Sequence, residues 1–138
     1  MNSTKDILNF LRCYWPSLLV VLVILYATWI PKPLPDDTLP SMPNIDKLIH
    51  AIMFGGLAGA LMFDYHRKDV REHKLSLTVL VVIGSACAAF GVLDEVVQGL
   101  LGFGRESDVW DLTADWVGIG VAMLVAPVVI RRIFRKKC

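Results

Sequence analysis

Four apolar stretches take up most of a 138-residue chain and constrain it more than any other feature. They run over Tyr14–Ile30, Asp46–Phe63, Leu75–Leu101 and Val109–Ile130. At about 1.5 Å of rise per residue, each is near or above the ~20 residues that cross the hydrocarbon core of a bilayer. What lies between them is too short for a separate extramembrane domain. The chain is 55% hydrophobic and 20% charged, too few polar side chains to coat a soluble domain of this size. That composition argues against a soluble enzyme or a free nucleic-acid binder, and against disorder, which requires low hydrophobicity. The expected fold class is all-α: an integral membrane four-helix bundle over residues 14–130, with an N-terminal tail over 1–13 and a basic C-terminal tail over 131–138. The lipid bilayer is the partner this composition demands. No nucleic acid is expected, and the oligomeric state is left open.

Charge fixes an expected orientation. Eleven Lys and Arg residues fall in the N-terminal tail, the connection between the second and third stretches, and the C-terminal tail, against three (Lys32, Lys47 and Arg105) on the other side. The positive-inside bias then puts both termini in the cytoplasm of a multi-pass protein of the bacterial inner membrane. Nine of the thirteen acidic residues lie on the opposite, outer side. The first stretch has no small-x-small cleavage site after Ala27 and reads as an uncleaved helix rather than a signal peptide.

Between the stretches, Pro31, Pro33, Pro35, Pro40 and Pro43 make the first connection extended. The second, His66–Lys74, reads as a solvated charged turn, with His66 and His73 on the surface. The third contains Gly102 and Gly104, which permit backbone angles closed to other residues. Gly55-x-x-x-Gly59, Gly84 with Ala88 and Gly91, and Gly118 with Gly120 predict close helix packing within the bundle. Cys13, Cys87 and Cys138 form no disulfide or C-x-x-C pattern, and Cys87 reads as a small packing residue.

The polar residues inside the apolar stretches form one constellation. The second stretch opens with Asp46-Lys47-x-x-His50, the third holds Asp94-Glu95-x-x-Gln98, Arg105 follows in the turn, and the fourth carries Asp108, Asp111 and Asp115 at i, i+3 and i+7. Residues three and four apart share a helix face. All ten lie toward the outer ends of their helices. A carboxylate at the bilayer centre costs roughly 2.5–3.5 kcal/mol, so these groups are expected to turn inward, pair with Lys47, Arg105 and His50, and line a cleft open to the outside. All ten are candidate ligand-binding residues, with His50, Asp94 and Glu95 the catalytic candidates. No metal-ligand spacing of the H-E-x-x-H kind is present, so no metal and no cofactor are expected. A metal, were one bound, would meet one His among carboxylates, a set suited to Mg²⁺, Mn²⁺ or Ca²⁺ more than Zn²⁺.

These motifs, in this order, resemble those of the VanZ-like membrane proteins: D-K-x-x-H, D-E-x-x-Q, an Arg in a Gly-containing turn, and D-x-x-x-N-x-x-G. The likeness covers residues 45 to 125, with one departure: Asp115 stands where the family usually has Asn, which adds an ionisable group. The resemblance implies a bacterial cell-envelope protein of the type linked to low-level resistance to teicoplanin, a lipid-tailed glycopeptide antibiotic.

Three functions fit the constellation. The first is an outer cleft that binds an amphipathic or lipid-linked envelope molecule, with Arg105 and Lys47 meeting an anionic group. The second is a membrane-embedded hydrolase or transferase acting on a lipid or acyl substrate. There His50 would be acid or base, held by an adjacent carboxylate, and water would attack, because no G-x-S-x-G nucleophile motif exists. The third is a small proton-linked transporter, although the inner halves of the stretches carry few polar groups and show no pathway.

Overall fold

A computed structural model describes residues 3–31, 35, 38, 42–68, 75–102, 104 and 106–135. It contains four helices: α1 (Ser3–Trp29), α2 (Ile45–Lys68), α3 (Leu77–Leu101) and α4 (Val109–Arg135). Each is long and apolar enough to cross a membrane. No strand occurs among the described residues. The all-α, four-helix expectation is met, with three helices longer than their apolar stretches and α3 two residues shorter, beginning at Leu77 rather than Leu75. α1 begins at Ser3 rather than at Tyr14, α2 continues past Phe63 to Lys68, and α4 continues past Ile130 to Arg135.

The helix ends have local causes. Ser76 caps α3 by accepting the Val79 amide at 3.4 Å, and Gly102 closes it in the left-handed conformation (φ 63°). Asp108 opens α4: its carboxylate accepts the Trp110 amide at 2.9 Å while its carbonyl accepts from Asp111 and Leu112. Asn44 precedes α2 with a positive φ of 62°, a conformation short polar side chains tolerate.

α1 is bent. Tyr14 leaves helical geometry (φ −113°, ψ 17°) and Pro16 supplies no amide. In an unbroken helix the Ser17 amide would bond the Cys13 carbonyl four residues back. Here both groups turn to α2 instead. The Ser17 amide donates to Asp64 Oδ2 at 3.1 Å, its hydroxyl donates to the same oxygen at 2.6 Å, and Arg67 Nη2 donates to the Cys13 carbonyl at 2.7 Å. Asp64 and Arg67 stand three apart on α2 and pair with each other at 3.5 Å. One turn of α2 thus replaces the missing hydrogen bond of α1 on both its sides, which is why a carboxylate can lie fully buried there. His66, next to this pair, is buried and packs edge-on against Phe134 at 5.0 Å, not on the surface as the sequence suggested. His73 lies outside the described residues.

α2 touches every other helix, and its contact with α4 is the most extensive in the bundle. Glycine sets that approach. A Cβ at Gly118 would collide with the backbone carbonyl of Ala51, and one at Gly55 would stand 2.9 Å from the carbonyl oxygen of Gly118. At Gly84 the space is taken by Met123 on α4. Gly120 faces open space and takes no part in packing, contrary to expectation. Behind these contacts lies an apolar layer of Ile24, Phe54, Leu57, Ala58, Cys87 and Ile119, all buried. Cys87 is the packing residue its position implied. The opposite helix faces present Leu22, Val82, Leu93, Val117 and Leu124, as lipid-facing surfaces do.

Candidate functional site

α1 and α3 finish at the end of the bundle where α2 and α4 begin, and nine of the ten sequence candidates gather there. The tenth, Arg105, lies outside the described residues, so the expectation placed on it concerns a part of the chain whose structure is not described. The nine fall into three groups at different depths.

At the rim, Lys47 Nζ bonds three carboxylates: Asp46 Oδ2 at 3.2 Å, Asp108 Oδ2 at 3.1 Å and Asp111 Oδ1 at 3.0 Å. An ammonium has three protons, and all are engaged. Through Asp108 and Asp111, Lys47 joins α2 to the start of α4. Asp108, outside the helices, is held below the usual carboxylate range by its bond from the Trp110 amide and by the Lys47 ammonium.

Beneath the rim, His50 Nδ1 stands 3.0 Å from Asp115 Oδ1, and His50 Nε2 stands 3.9 Å from Asp111 Oδ2. Asp115 is fully buried and His50 is 6% exposed. The spacing i, i+4 brings Asp111 and Asp115 to the same imidazole. Glu95, 5% exposed, reaches in from α3, where its Oε2 accepts the Asp108 amide at 3.0 Å. His50, Glu95 and Asp115 each offer a ligand atom within 4.8 Å of the others. Two buried oxygens of this trio, Glu95 Oε1 and Asp115 Oδ2, have no hydrogen-bond partner among the described residues. Such atoms are costly unless something engages them.

The third group centres on Asp94. Asp94 Oδ1 accepts from the Thr28 hydroxyl at 2.9 Å and from Trp29 Nε1 at 2.8 Å, and its Oδ2 accepts from Gln98 at 3.3 Å. Both oxygens are occupied by donors, two of them from α1. This carboxylate ties α1 to α3, while Glu95 next to it turns to α4. Thr28 and Trp29 are site residues that the sequence did not expose. Trp29 reads from sequence as a membrane-interface side chain, and nothing in its spacing identifies the acid it bonds. The pair Asp64–Arg67 is likewise missed, although an i, i+3 acid–base pair after an apolar run, facing a Pro-Ser dipeptide, is a usable signal.

Fold and site together define a multi-pass helical membrane protein with a buried, acid-rich polar centre at one end. No known protein family, no curated protein and no solved structure matches the chain.

Proposed function

We propose that the chain is a VanZ-like protein of the bacterial inner membrane, with both termini cytoplasmic, whose acid-rich end opens outward and binds the head group of an amphipathic or lipid-linked envelope molecule. Occupation of that site alters susceptibility to lipid-tailed glycopeptides such as teicoplanin. The observation that carries the reading is the gathering of polar stripes from α2, α3 and α4 at one end of four apolar helices, around Lys47 and His50. Intramembrane ionisable groups of this density serve as sites by default. The chemistry of the pocket also narrows the ligand. Carboxylates there exceed cations, and the Lys47 ammonium is fully engaged. A head group is therefore recognised through its own donors, hydroxyl, amide or amine, rather than through phosphate.

The test compares bacteria with and without the protein against two glycopeptides that differ only in the lipid tail. The expected result is a larger change in inhibitory concentration for the tailed compound, lost in a His50→Ala strain that still accumulates the protein. An equal change for both compounds overturns the reading.

One observation favours a second reading, a membrane-embedded hydrolase or transferase. His50 is oriented by Asp115 at 3.0 Å, the arrangement in which a carboxylate holds an imidazole for proton transfer. Mass spectrometry of lipid extracts decides it: a species that accumulates or vanishes with the protein, and not with His50→Ala, establishes turnover, and an unchanged profile rules it out. A transporter is disfavoured, because His50 and Asp64 are separated on α2 by about 21 Å of helix carrying only apolar side chains and glycine.

A further inference from the structure

We propose that His50, Glu95 and Asp115 hold one divalent transition-metal cation, Mn²⁺. The inference uses only atoms of this chain and does not depend on the head-group reading.

Three observations converge. Ligand atoms from three different helices, α2, α3 and α4, lie within 4.8 Å of one another although nothing in the sequence brings them together. Two oxygens of this trio are buried and unpartnered among the described residues, Glu95 Oε1 and Asp115 Oδ2, on side chains that are 5% and 0% exposed. Asp115 Oδ2 also lies 3.2 Å from where a Cβ would stand at Gly91, one helical turn from Glu95 on α3. Any larger residue at 91 would crowd that oxygen, so α3 leaves room beside an atom that has nothing to bond.

Charge and distance fit a cation. Two carboxylates and one imidazole make a set of formal charge −2 when the imidazole is neutral, and a divalent ion cancels it. On an octahedral ion such as Mn²⁺ at about 2.1 Å, neighbouring ligands stand about 3.0 Å apart. His50 Nδ1 and Asp115 Oδ1 are separated by 3.0 Å. Opposite ligands on such an ion stand about 4.2 Å apart, so the trio, with its ligand atoms within 4.8 Å of one another, is near the span one ion bridges. Asp111 Oδ2 lies 3.9 Å from His50 Nε2, beyond hydrogen-bond distance, and adds negative charge beside the imidazole. The two carboxylates suit Mn²⁺ better than Zn²⁺, and the imidazole sets Mn²⁺ apart from Ca²⁺ and Mg²⁺, which take oxygen. The sequence carries no metal signature because each helix contributes a single ligand.

The full chain, purified in detergent and stripped with a chelator, is titrated with Mn²⁺ while the free-ion electron paramagnetic resonance signal is followed, with Zn²⁺ as competitor. One ion per chain is expected, with affinity at least about 10-fold weaker in Glu95→Gln and little changed in Asp6→Asn, an exposed acid at the start of α1. Circular dichroism confirms that each variant is folded. Should Glu95→Gln fail to fold, nitrogen modulation of the electron spin echo from Mn²⁺ on the unaltered protein reports imidazole ligation directly. Failure of folded protein to bind Mn²⁺ overturns the proposal. So does binding without nitrogen modulation, or binding that folded Glu95→Gln leaves unchanged.

Discussion

Asp94 and Asp115 are both aspartates, both buried and both on polar stripes, yet they do different things. Every described bond to Asp94 comes from a donor that needs an acceptor: Thr28, Trp29 and Gln98. Removing the carboxylate leaves those donors in an apolar setting. Asp94→Ala is expected to lower stability by about 2 kcal/mol or more, measured by thermal unfolding in detergent, with Asp94→Asn losing less because one acceptor oxygen remains. The same scale separates two glycines. Gly118→Ala is expected to cost about 2 kcal/mol, because the added methyl meets the Ala51 carbonyl and must push α2 from α4. Gly120→Ala, two residues on, adds its methyl to open space and is expected to be neutral or to stabilise by up to ~1 kcal/mol. Sequence pattern treats these pairs alike. A carboxylate's partners, and a glycine's facing atom, depend on the rotation of helices about their own axes. Spacing within one helix says nothing about that.

Among the elements, α1 and α2 show how a polar pair can belong to the backbone of a neighbour. Asp64 and Arg67 complete the hydrogen bonding that the Tyr14–Pro16 bend removes from α1. Asp64→Ala leaves the Ser17 amide and the Arg67 guanidinium without this partner and is expected to cost about 2–3 kcal/mol. In a Pro16→Ala background α1 can regain its own bond between Ser17 and Cys13. The same Asp64→Ala change should then cost at least ~1 kcal/mol less, which a double-mutant cycle by thermal unfolding measures. Equal costs in both backgrounds would contradict this account of the bend. The element ends were the least legible part of the sequence for a related reason. Apolar runs mark where side chains favour lipid, whereas helices continue as long as backbone groups find partners. Asp64 and His66 end the apolar run, yet α2 continues through both to Lys68, and Ser3–Cys13 precedes the run but belongs to α1.

At the scale of the molecule, the number of helices and the end of the bundle at which acids collect were both readable. Each follows from one-dimensional information: the length of apolar runs and the position of charges along them. The depth order of the site was not readable, since Lys47, His50 and Asp94 sit at a rim, a core and a tie to α1 only because three helices meet at particular rotations. Orientation in the membrane is open to a direct measurement. An impermeant thiol reagent applied to intact cells is expected to label an introduced Glu106→Cys, an exposed position beside the acid-rich end, while leaving Cys13 and Cys138 unlabelled until the cells are opened. The reverse pattern would invert the assigned topology.

The bend in α1 has a consequence for biosynthesis. A nascent chain with only its first helix complete carries an amide at Ser17 and a carbonyl at Cys13 whose partners on α2 do not yet exist. Both remain open until Asp64 and Arg67 have been translated and inserted. The bend of α1 therefore gains its full set of partners only when the first two helices meet, which favours their pairing as a hairpin before α3 and α4 join them.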